Sequence, residues 1–164
     1  EAGREQFIRD LHDTVELLRN TVSLAVWVPF NEGWGQFDSL LATQTLWELD
    51  PTRLVDHASG WHDQGGGDFK SRHVYFKPVR LKHDKDRVLA LTEFGGYSLP
   101  VPGHTAGDKP FGYRMYQSAG EYMDALARLY EQEIIPCLDK QALSAAVYTQ
   151  AGWPAGCRTA PTPR

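Results

Sequence analysis

The stretch VWVPFNEGWG, residues 26–35, joins a strand-like apolar run to two polar side chains. The run stops at Pro29, which cannot donate a hydrogen bond to a ladder and therefore suits the end of a strand. Asn31 and Glu32 follow, between a phenylalanine and a glycine. A glutamate among aromatic residues at a strand end needs a reason, because charged groups are rarely buried unless they are paired.

A second apolar run ends in the same manner. Residues 88–92 lead into Glu93, and an aromatic residue and two glycines come after it. In parallel α/β folds the carboxyl ends of the strands form one face, where ligands bind. We therefore expect Glu32 and Glu93 to lie close together, although they are far apart in the sequence.

A pair of carboxylates in an aromatic cleft is what glycoside hydrolysis requires. One carboxyl gives a proton to the leaving oxygen, and the other attacks or stabilises the anomeric carbon. Apolar surroundings favour the protonated form of a carboxyl. Glu32, with Trp27, Phe30 and Trp34 nearby in the sequence, suits the acid role. On the residues alone, a glutamate after a strand is also a common helix-capping or solvated residue, so that alternative stays open.

Hydrophobic periodicity predicts alternating helices and strands along the chain. Helices are predicted at 5–19, 36–49 and 119–138, the last opened by a capping box of Ser118 and Glu121. Strands are predicted at 22–30, 53–58, 73–77, 87–94 and 142–150. The segment 97–114 is predicted to be a loop. Alternation of this kind favours a parallel sheet covered by helices.

Four segments carry a resemblance to a known family: VPFNEGWGQFD (28–38), DHASGWHDQGGGDF (56–69), RHVYFKP (72–78) and LTEFGGYS (91–98). They resemble glycoside hydrolase family 2, the β-galactosidase and β-glucuronidase family, over roughly residues 1–150. The resemblance implies an α/β fold that is a partial TIM (β/α)8 barrel, roughly strands four to eight with their helices. The domain organisation expected is a partial catalytic barrel at 1–150 and a disordered or aberrant tail at 151–164.

The resemblance also implies a reaction and the residues that perform it. The expected activity is that of a retaining, β-galactosidase-like O-glycosyl hydrolase without a cofactor. Glu32 would be the general acid/base and Glu93 the nucleophile, while Asn31 would bond the sugar 2-hydroxyl. Retaining chemistry would require the two carboxyls to be about 5–5.5 Å apart.

Further side chains are candidates for substrate binding. They are aromatic or polar residues near the strand ends: Trp34, Trp61, His62, Asp63, Asp68, His73 and Tyr75. Tyr75 could hydrogen-bond Glu93, Trp61 could stack on a pyranose and Trp34 could form part of the pocket wall, although packing roles are the alternative for each. His73 could bond a sugar hydroxyl, although a histidine satisfied within the core is the favoured alternative. His62, Asp63 and Asp68 together with His57 also resemble a metal cluster, but they have no helical ligand spacing and no metal site is predicted.

The net charge and the hydropathy of the chain limit the kinds of partner that we expect it to bind. The net charge is -4 and the basic residues form no dense patch, so no nucleic acid partner is expected. No apolar run approaches the roughly 20 residues of a membrane span, so no membrane partner is expected either. The first residues lack a signal-peptide core, which favours a cytoplasmic location. The expected partner is an oligosaccharide or β-glycoside, with a neutral sugar such as galactose favoured and a homo-oligomeric parent enzyme possible.

Two other functions stay open. A complete barrel needs about 250 residues, so the chain is expected to be a piece of a longer protein and could be an inactive fragment. A carbohydrate-binding module would keep an aromatic cleft without catalysis. A doubly wound enzyme of another kind is disfavoured, because GxGxxG, GxxxxGK[ST] and GxSxG motifs are missing.

Overall fold

The computed structural model describes residues 1–102 and 112–150. The helices are α1 (Ala2–Leu18), α2 (Ser39–Leu49), α3 (Ala119–Leu129) and α4 (Ile135–Lys140), with a π-helical turn at Tyr130–Ile134 between the last two. The strands are β1 (Val26–Trp27), β2 (Leu54–Val55), β3 (Phe69–Val74), β4 (Val88–Gly95), β5 (Tyr97–Ser98), β6 (Arg114–Met115) and β7 (Leu143–Thr149). None of the helices in this part of the chain is both long and apolar enough to span a bilayer.

Within residues 1–102 and 112–150 the strands form three separate sheets. β1 pairs with β2, β4 lies between β3 and β7, and β5 pairs with β6. Each of these pairs is parallel, as the alternation of helices and strands predicts. The three-stranded sheet is the largest and contains Glu93, whereas Glu32 follows the two-stranded β1–β2 sheet.

The prediction of a partial TIM barrel, strands four to eight with their helices, is wrong. Within residues 1–102 and 112–150 the strands close no barrel, and no ladder joins β2 to β3. At that break Val55 donates its N–H to the Asp68 carboxylate (2.8 Å), while its carbonyl accepts from the Asp68 N–H (2.8 Å). Asp68 therefore bonds both backbone groups of Val55, one through its side chain and one through its N–H, at the point where a barrel would have a neighbouring strand. Two-residue strands are also too short to set the tilt and stagger of a barrel.

The extent of the predicted catalytic domain, residues 1–150, stays a prediction, and the predicted tail at 151–164 lies outside the described residues. The strand predicted at 22–30 is confined to Val26–Trp27, and the one predicted at 73–77 lies at Phe69–Val74. β5 falls inside the segment 97–114 predicted to be a loop, and β6 begins at the last residue of that segment. These errors arise because periodicity marks apolar residues and not the hydrogen bonds that pair strands.

Two apolar clusters hold the elements in place. The larger packs Leu89, Leu91 and Phe94 of β4 against the helical region of α3 and α4. The smaller brings together Val15 of α1, Trp27 of β1, Leu46 of α2 and Val55 of β2. The predicted capping box at the start of α3 is confirmed, because the Ser118 hydroxyl accepts from the Glu121 N–H at 3.2 Å. Glu32 therefore follows a strand, and Glu93 lies within a strand, that the burial of apolar side chains holds in place.

Candidate functional site

The structure brings Glu32 and Glu93 together, as the strand ends predict, and a histidine lies between them. His73 Nδ1 is 2.8 Å from Glu32 Oε1 and 3.3 Å from Glu93 Oε2. One carboxylate oxygen from each glutamate and the imidazole nitrogen all lie within 4.8 Å of one another. The glutamates are half-buried, whereas the His73 side chain is fully buried. The site is therefore a compact acid–imidazole–acid cluster.

A β-bulge in β4 orients the Glu93 side chain towards this cluster. On one side, Arg72 pairs with Leu91 and His73 with Glu93, so β4 has one residue more than β3 at this point. On the other side, Leu91 pairs with Ala146 and Phe94 with Tyr148, so β4 again has one residue more than β7. A bulge shared with both neighbours redirects the side chains after it, and bulges are common next to active sites.

The backbone at Glu32 is in a conformation that is unusual for a residue with a side chain. Its φ is +54°, and that of Gly33 is +77°. The left-handed region costs a non-glycine residue roughly 1–2 kcal/mol. The Glu32 N–H donates to the Ser59 carbonyl (2.9 Å), and an isolated bridge pairs Asn31 with Ser59. These contacts hold the carboxylate towards His73 despite the strain.

A chain of hydroxyl groups orients His73. Its Nε2 is 3.1 Å from the Ser59 hydroxyl, which is 3.0 Å from the Thr92 hydroxyl. Two carboxylates face Nδ1, which favours a proton on that atom. Nε2 then accepts from Ser59, and Ser59 accepts from Thr92. The imidazole is thus held as a donor to the carboxylates by two side chains beyond it.

Tyr75 lies just after β3 and donates its hydroxyl hydrogen to Glu93 Oε2. Burial, and then the hydrogen bond to Glu93, raise the pKa of Tyr75 above its ordinary value. The phenol therefore stays protonated and remains a donor at neutral pH. The Tyr75 ring also packs against the Tyr113 ring, with centroids 4.4 Å apart.

The predicted aromatic and polar ligands lie at different distances from this cluster. The Trp61 ring is 6.3 Å from the His73 ring and 44% exposed. Trp34 is 78% exposed, and its predicted place in the wall of a sugar pocket stays a prediction. His62 lies against Gly33, since a Cβ there would come within 2.4 Å of its ring. Asn31 is exposed at the end of β1, where a sugar hydroxyl could reach it.

Asp63 and Asp68 bond to the protein itself. Both Asp63 oxygens accept from the Arg87 guanidinium at 2.8 Å. Asp68 Oδ2 accepts from the Val55 N–H and from the Trp47 indole (3.4 Å). These contacts give both aspartates a structural role, and their predicted role as sugar ligands remains a prediction.

The Asp63–Arg87 pair should stabilise the fold in a pH-dependent way. Hydrogen bonds from Arg87 lower the pKa of Asp63 from 3.8 to about 2. A depressed carboxyl pKa gives stability above the unfolded value of about 3.9, and that stability is lost as the pH falls through about 2. The Asp63 side chain is 23% exposed. After allowance for screening, we expect Arg87→Met to lower the free energy of unfolding by about 1–2 kcal/mol at pH 7.

Urea unfolding at pH 7, 4 and 2.5 measures this effect. The difference in free energy of unfolding between Arg87→Met and wild type should become smaller as the pH falls. Arg4→Met is the matched control, because Arg4 pairs with Asp38 with both side chains more than half exposed. That change should stay within about 0.5 kcal/mol of wild type. Equal effects of the two variants, or a gap that does not depend on pH, would contradict the prediction.

The cluster of Glu32, His73 and Glu93 could also hold a divalent cation, which was not predicted from the sequence. Ligands around a tetrahedral zinc at 2.0–2.1 Å lie about 3.3 Å apart. The His73–Glu32 contact of 2.8 Å is shorter than this and has the length of a charge-assisted hydrogen bond. The geometry therefore favours a proton between the imidazole and the carboxylate.

Sequence reasoning missed Ser59 and Thr92, which orient His73. Ser59 comes soon after β2, as Asn31 does after β1, and the bridge between the two places them on one edge. The rule that polar residues after strands share one face would have found Ser59. Thr92 is the residue before Glu93 and reaches Ser59 at the bulge in β4, which apolar periodicity does not reveal.

Comparison with known proteins adds no assignment for this site. Neither a family model nor a curated protein matches the chain. The function is therefore argued from the geometry of the side chains.

Proposed function

We propose that this chain carries the catalytic site of a retaining β-glycosidase, a β-galactosidase-like O-glycosyl hydrolase. The observation that supports this most directly is the approach of Glu32 and Glu93, whose nearest oxygens lie within 4.8 Å of each other beside His73. Retaining glycosidases place their carboxyls about 5–5.5 Å apart, while inverting enzymes need about 6.5–9.5 Å to admit a water molecule. The nearest oxygens of Glu32 and Glu93 lie closer together than either range, and such a short separation supports a double displacement over direct attack by a water molecule.

In the first step Glu93 attacks the anomeric carbon and the bond to the leaving oxygen breaks. Glu32 gives its proton to that oxygen, so the leaving group departs as a neutral alcohol. In the second step Glu32 takes a proton from water, which attacks the same carbon and releases Glu93. Two inversions retain the β configuration, and Glu32 ends protonated as it began.

The neighbours of the glutamates suit this division of roles. Tyr75 donates to one oxygen of Glu93 and leaves the other free to attack. His73 donates to Glu32 Oε1, which leaves the second Glu32 oxygen to carry the transferred proton. Trp61 offers a partly exposed ring beside His73, on which the C–H face of a pyranose can stack.

Turnover of nitrophenyl β-glycosides tests the proposal. A panel of galactoside, glucoside, mannoside and glucuronide, assayed in the presence of EDTA, should include at least one substrate. Proton NMR in the first minutes should show the β-anomer of the free sugar before mutarotation. If the α-anomer appears first, the proposed double displacement is wrong.

A carbohydrate-binding module is the second candidate, because the Trp34 and Trp61 rings are exposed and Trp61 lies beside His73. This reading predicts glycan binding without hydrolysis, even of an activated dinitrophenyl glycoside. It also predicts that the double change of Glu32 and Glu93 to glutamine leaves binding intact. Hydrolysis by the wild type decides against it.

Tyr75→Phe should reduce kcat while leaving the fold intact. A hydrogen bond to a charged group contributes about 1.5–3 kcal/mol, so we expect a roughly 10- to 100-fold fall in kcat. The ring itself is kept, so its packing on Tyr113 is preserved and the melting temperature should change little. Tyr130→Phe is a suitable control, since Tyr130 packs on Phe94 in the core. Loss of activity in step with loss of stability in both variants would show that Tyr75 is only structural.

A further inference from the structure

Glu32 and Glu93 are carried by different sheets, and no ladder connects these sheets within the described residues. Glu32 follows the β1–β2 sheet, whereas Glu93 lies in β4, between β3 and β7. The hydrogen bonds of each ladder therefore fix the position of a glutamate only within its own sheet. The distance between the two carboxyls depends on the contacts that join β2 and the residues after it to β3.

Side chains make most of these contacts in the part of the chain that the structure describes. The Ser71 hydroxyl, on β3, donates to Asp56 Oδ1 at 2.8 Å and accepts from the Gly60 N–H at 3.2 Å. The Ser59 hydroxyl lies 3.1 Å from His73 Nε2. Asp56, Ser59, Ser71 and His73 thus form a polar seam between the two sheets, and none of the four is more than 8% exposed.

Asp56 is buried at a cost that its hydrogen bonds offset only in part. It is 2% exposed, and its Oδ2 has no hydrogen-bond partner among the described residues. Burial raises the pKa of the Asp56 carboxyl, and the hydrogen bond from Ser71 is the largest influence in the opposite direction. Because buried polar groups are normally fully paired, a carboxyl in this position needs a reason beyond packing.

Asp56 reaches the catalytic cluster through Ser71 and Gly60. Its carboxyl takes the hydrogen of the Ser71 hydroxyl, so a lone pair of that hydroxyl is left for the Gly60 N–H. The Gly60 backbone lies against the His73 imidazole, because a Cβ on Gly60 would collide with that ring. The segment after β2 is thereby held against the ring whose Nδ1 is 2.8 Å from Glu32 Oε1.

We propose that Asp56 is a positioning residue, which acts through Ser71 to hold the two sheets at the spacing that places Glu32 opposite Glu93. Catalytic side chains need to be held within about 0.5 Å of their productive positions, and small displacements lower rates strongly. The effect on catalysis rests on the proposed function. The effect of the seam on the contact between His73 and Glu32 can be measured without turnover.

Asp56→Ala and Ser71→Ala should slow the step that needs both sheets more than the step that needs one. Tyr75 follows a strand of the sheet that contains Glu93, so attack on a dinitrophenyl β-glycoside should continue and give a burst of dinitrophenol. Steady-state kcat should fall about 10- to 100-fold, because Glu32 is no longer placed to activate water. Azide attacks the anomeric carbon of the glycosyl-enzyme without a general base and releases Glu93. It should therefore restore turnover and give the β-glycosyl azide.

Two further variants separate positioning from a loss of stability. Asp56→Asn keeps an oxygen that can accept from Ser71, so kcat should stay within about 3-fold of wild type. Thr43→Val removes a buried hydroxyl that donates to the Ser39 carbonyl at 2.8 Å within α2, away from the seam. It should lower the melting temperature without any rescue by azide.

Three results would overturn the proposal. They are an equal fall of burst and steady-state turnover in Ser71→Ala, no effect of azide on that variant, and a kcat of Asp56→Asn as low as that of Ser71→Ala. Ser71→Ala carries the comparison if Asp56→Ala does not fold, because loss of one hydroxyl leaves the packing nearly unchanged.

The NMR signal of the His73 imidazole distinguishes failure of the seam from failure of the reaction. Its Nδ1 proton, donated to Glu32, should give a downfield signal in wild type at neutral pH. That signal should move upfield or broaden in Ser71→Ala and stay unchanged in Thr43→Val. If it does so but wild type hydrolyses no β-glycoside, the seam stands and the glycosidase proposal fails. If wild type hydrolyses a β-glycoside and the signal is the same in every variant, the proposal for Asp56 fails alone.

Discussion

Glu93→Gln should lower kcat by roughly 10⁴-fold or more, because removal of a covalent nucleophile leaves only binding and the acid to act. The change keeps the size of the side chain and its contact distance to Tyr75 and His73, so the fold should be unaffected. Hydrolysis of a nitrophenyl β-glycoside measures the loss. Glu131 is an exposed glutamate between α3 and α4, so Glu131→Gln serves as the control and should retain full activity.

Chemical rescue identifies the role of Glu93 directly. In Glu93→Ala, azide can occupy the space of the carboxylate and attack the anomeric carbon of a dinitrophenyl β-glycoside. A single displacement inverts the configuration, so the product should be the α-glycosyl azide. Residual activity in Glu93→Gln comparable to that of Glu131→Gln would rule out Glu93 as the nucleophile.

The loss of activity in Glu32→Ala should depend on whether the leaving group needs a proton in order to depart. Loss of a general acid costs about 10²- to 10⁴-fold, and the full cost applies to a leaving alcohol that needs the proton. A dinitrophenolate leaves without it, so its release should remain fast. Glycosyl-enzyme should then accumulate, because the base that activates water is missing too. A burst of dinitrophenol followed by slow turnover is the expected observation.

The azide product also distinguishes Glu32 from Glu93. In Glu32→Ala the first displacement still uses Glu93, and azide then performs the second one. Two inversions give the β-glycosyl azide, the opposite of the product expected from Glu93→Ala. Equal losses for good and poor leaving groups, or an α-azide, would contradict an acid/base role for Glu32.

The meeting of Glu32 and Glu93 could be predicted because it depends on local features of the chain. Apolar runs end where the side chains become polar, and parallel strands carry their carboxyl ends to one face. The same runs do not reveal that the described strands close no barrel. The link at β2 depends on the Asp68 carboxylate accepting from the Val55 N–H, and no periodicity reports such a bond.

The role of His73 was also beyond the sequence. Its place in a predicted strand favours a histidine satisfied within the core, with a sugar ligand as the alternative. The bulge in β4 instead pairs it with Glu93 and brings its ring between the two carboxylates. A bulge adds one residue to a strand without changing its apolar character, so the pattern of the sequence is the same with or without it. The contacts among Glu32, His73 and Glu93 can be seen only in the three-dimensional structure.

The left-handed backbone at Glu32 has a consequence for protein engineering. Glycine adopts that conformation without penalty, so Glu32→Gly recovers about 1 kcal/mol of backbone free energy and offsets much of the lost contact with His73. A variant library selected only for thermal tolerance would accept glycine here and lose the proposed acid unnoticed. Directed evolution of this chain therefore needs a catalytic readout in every round.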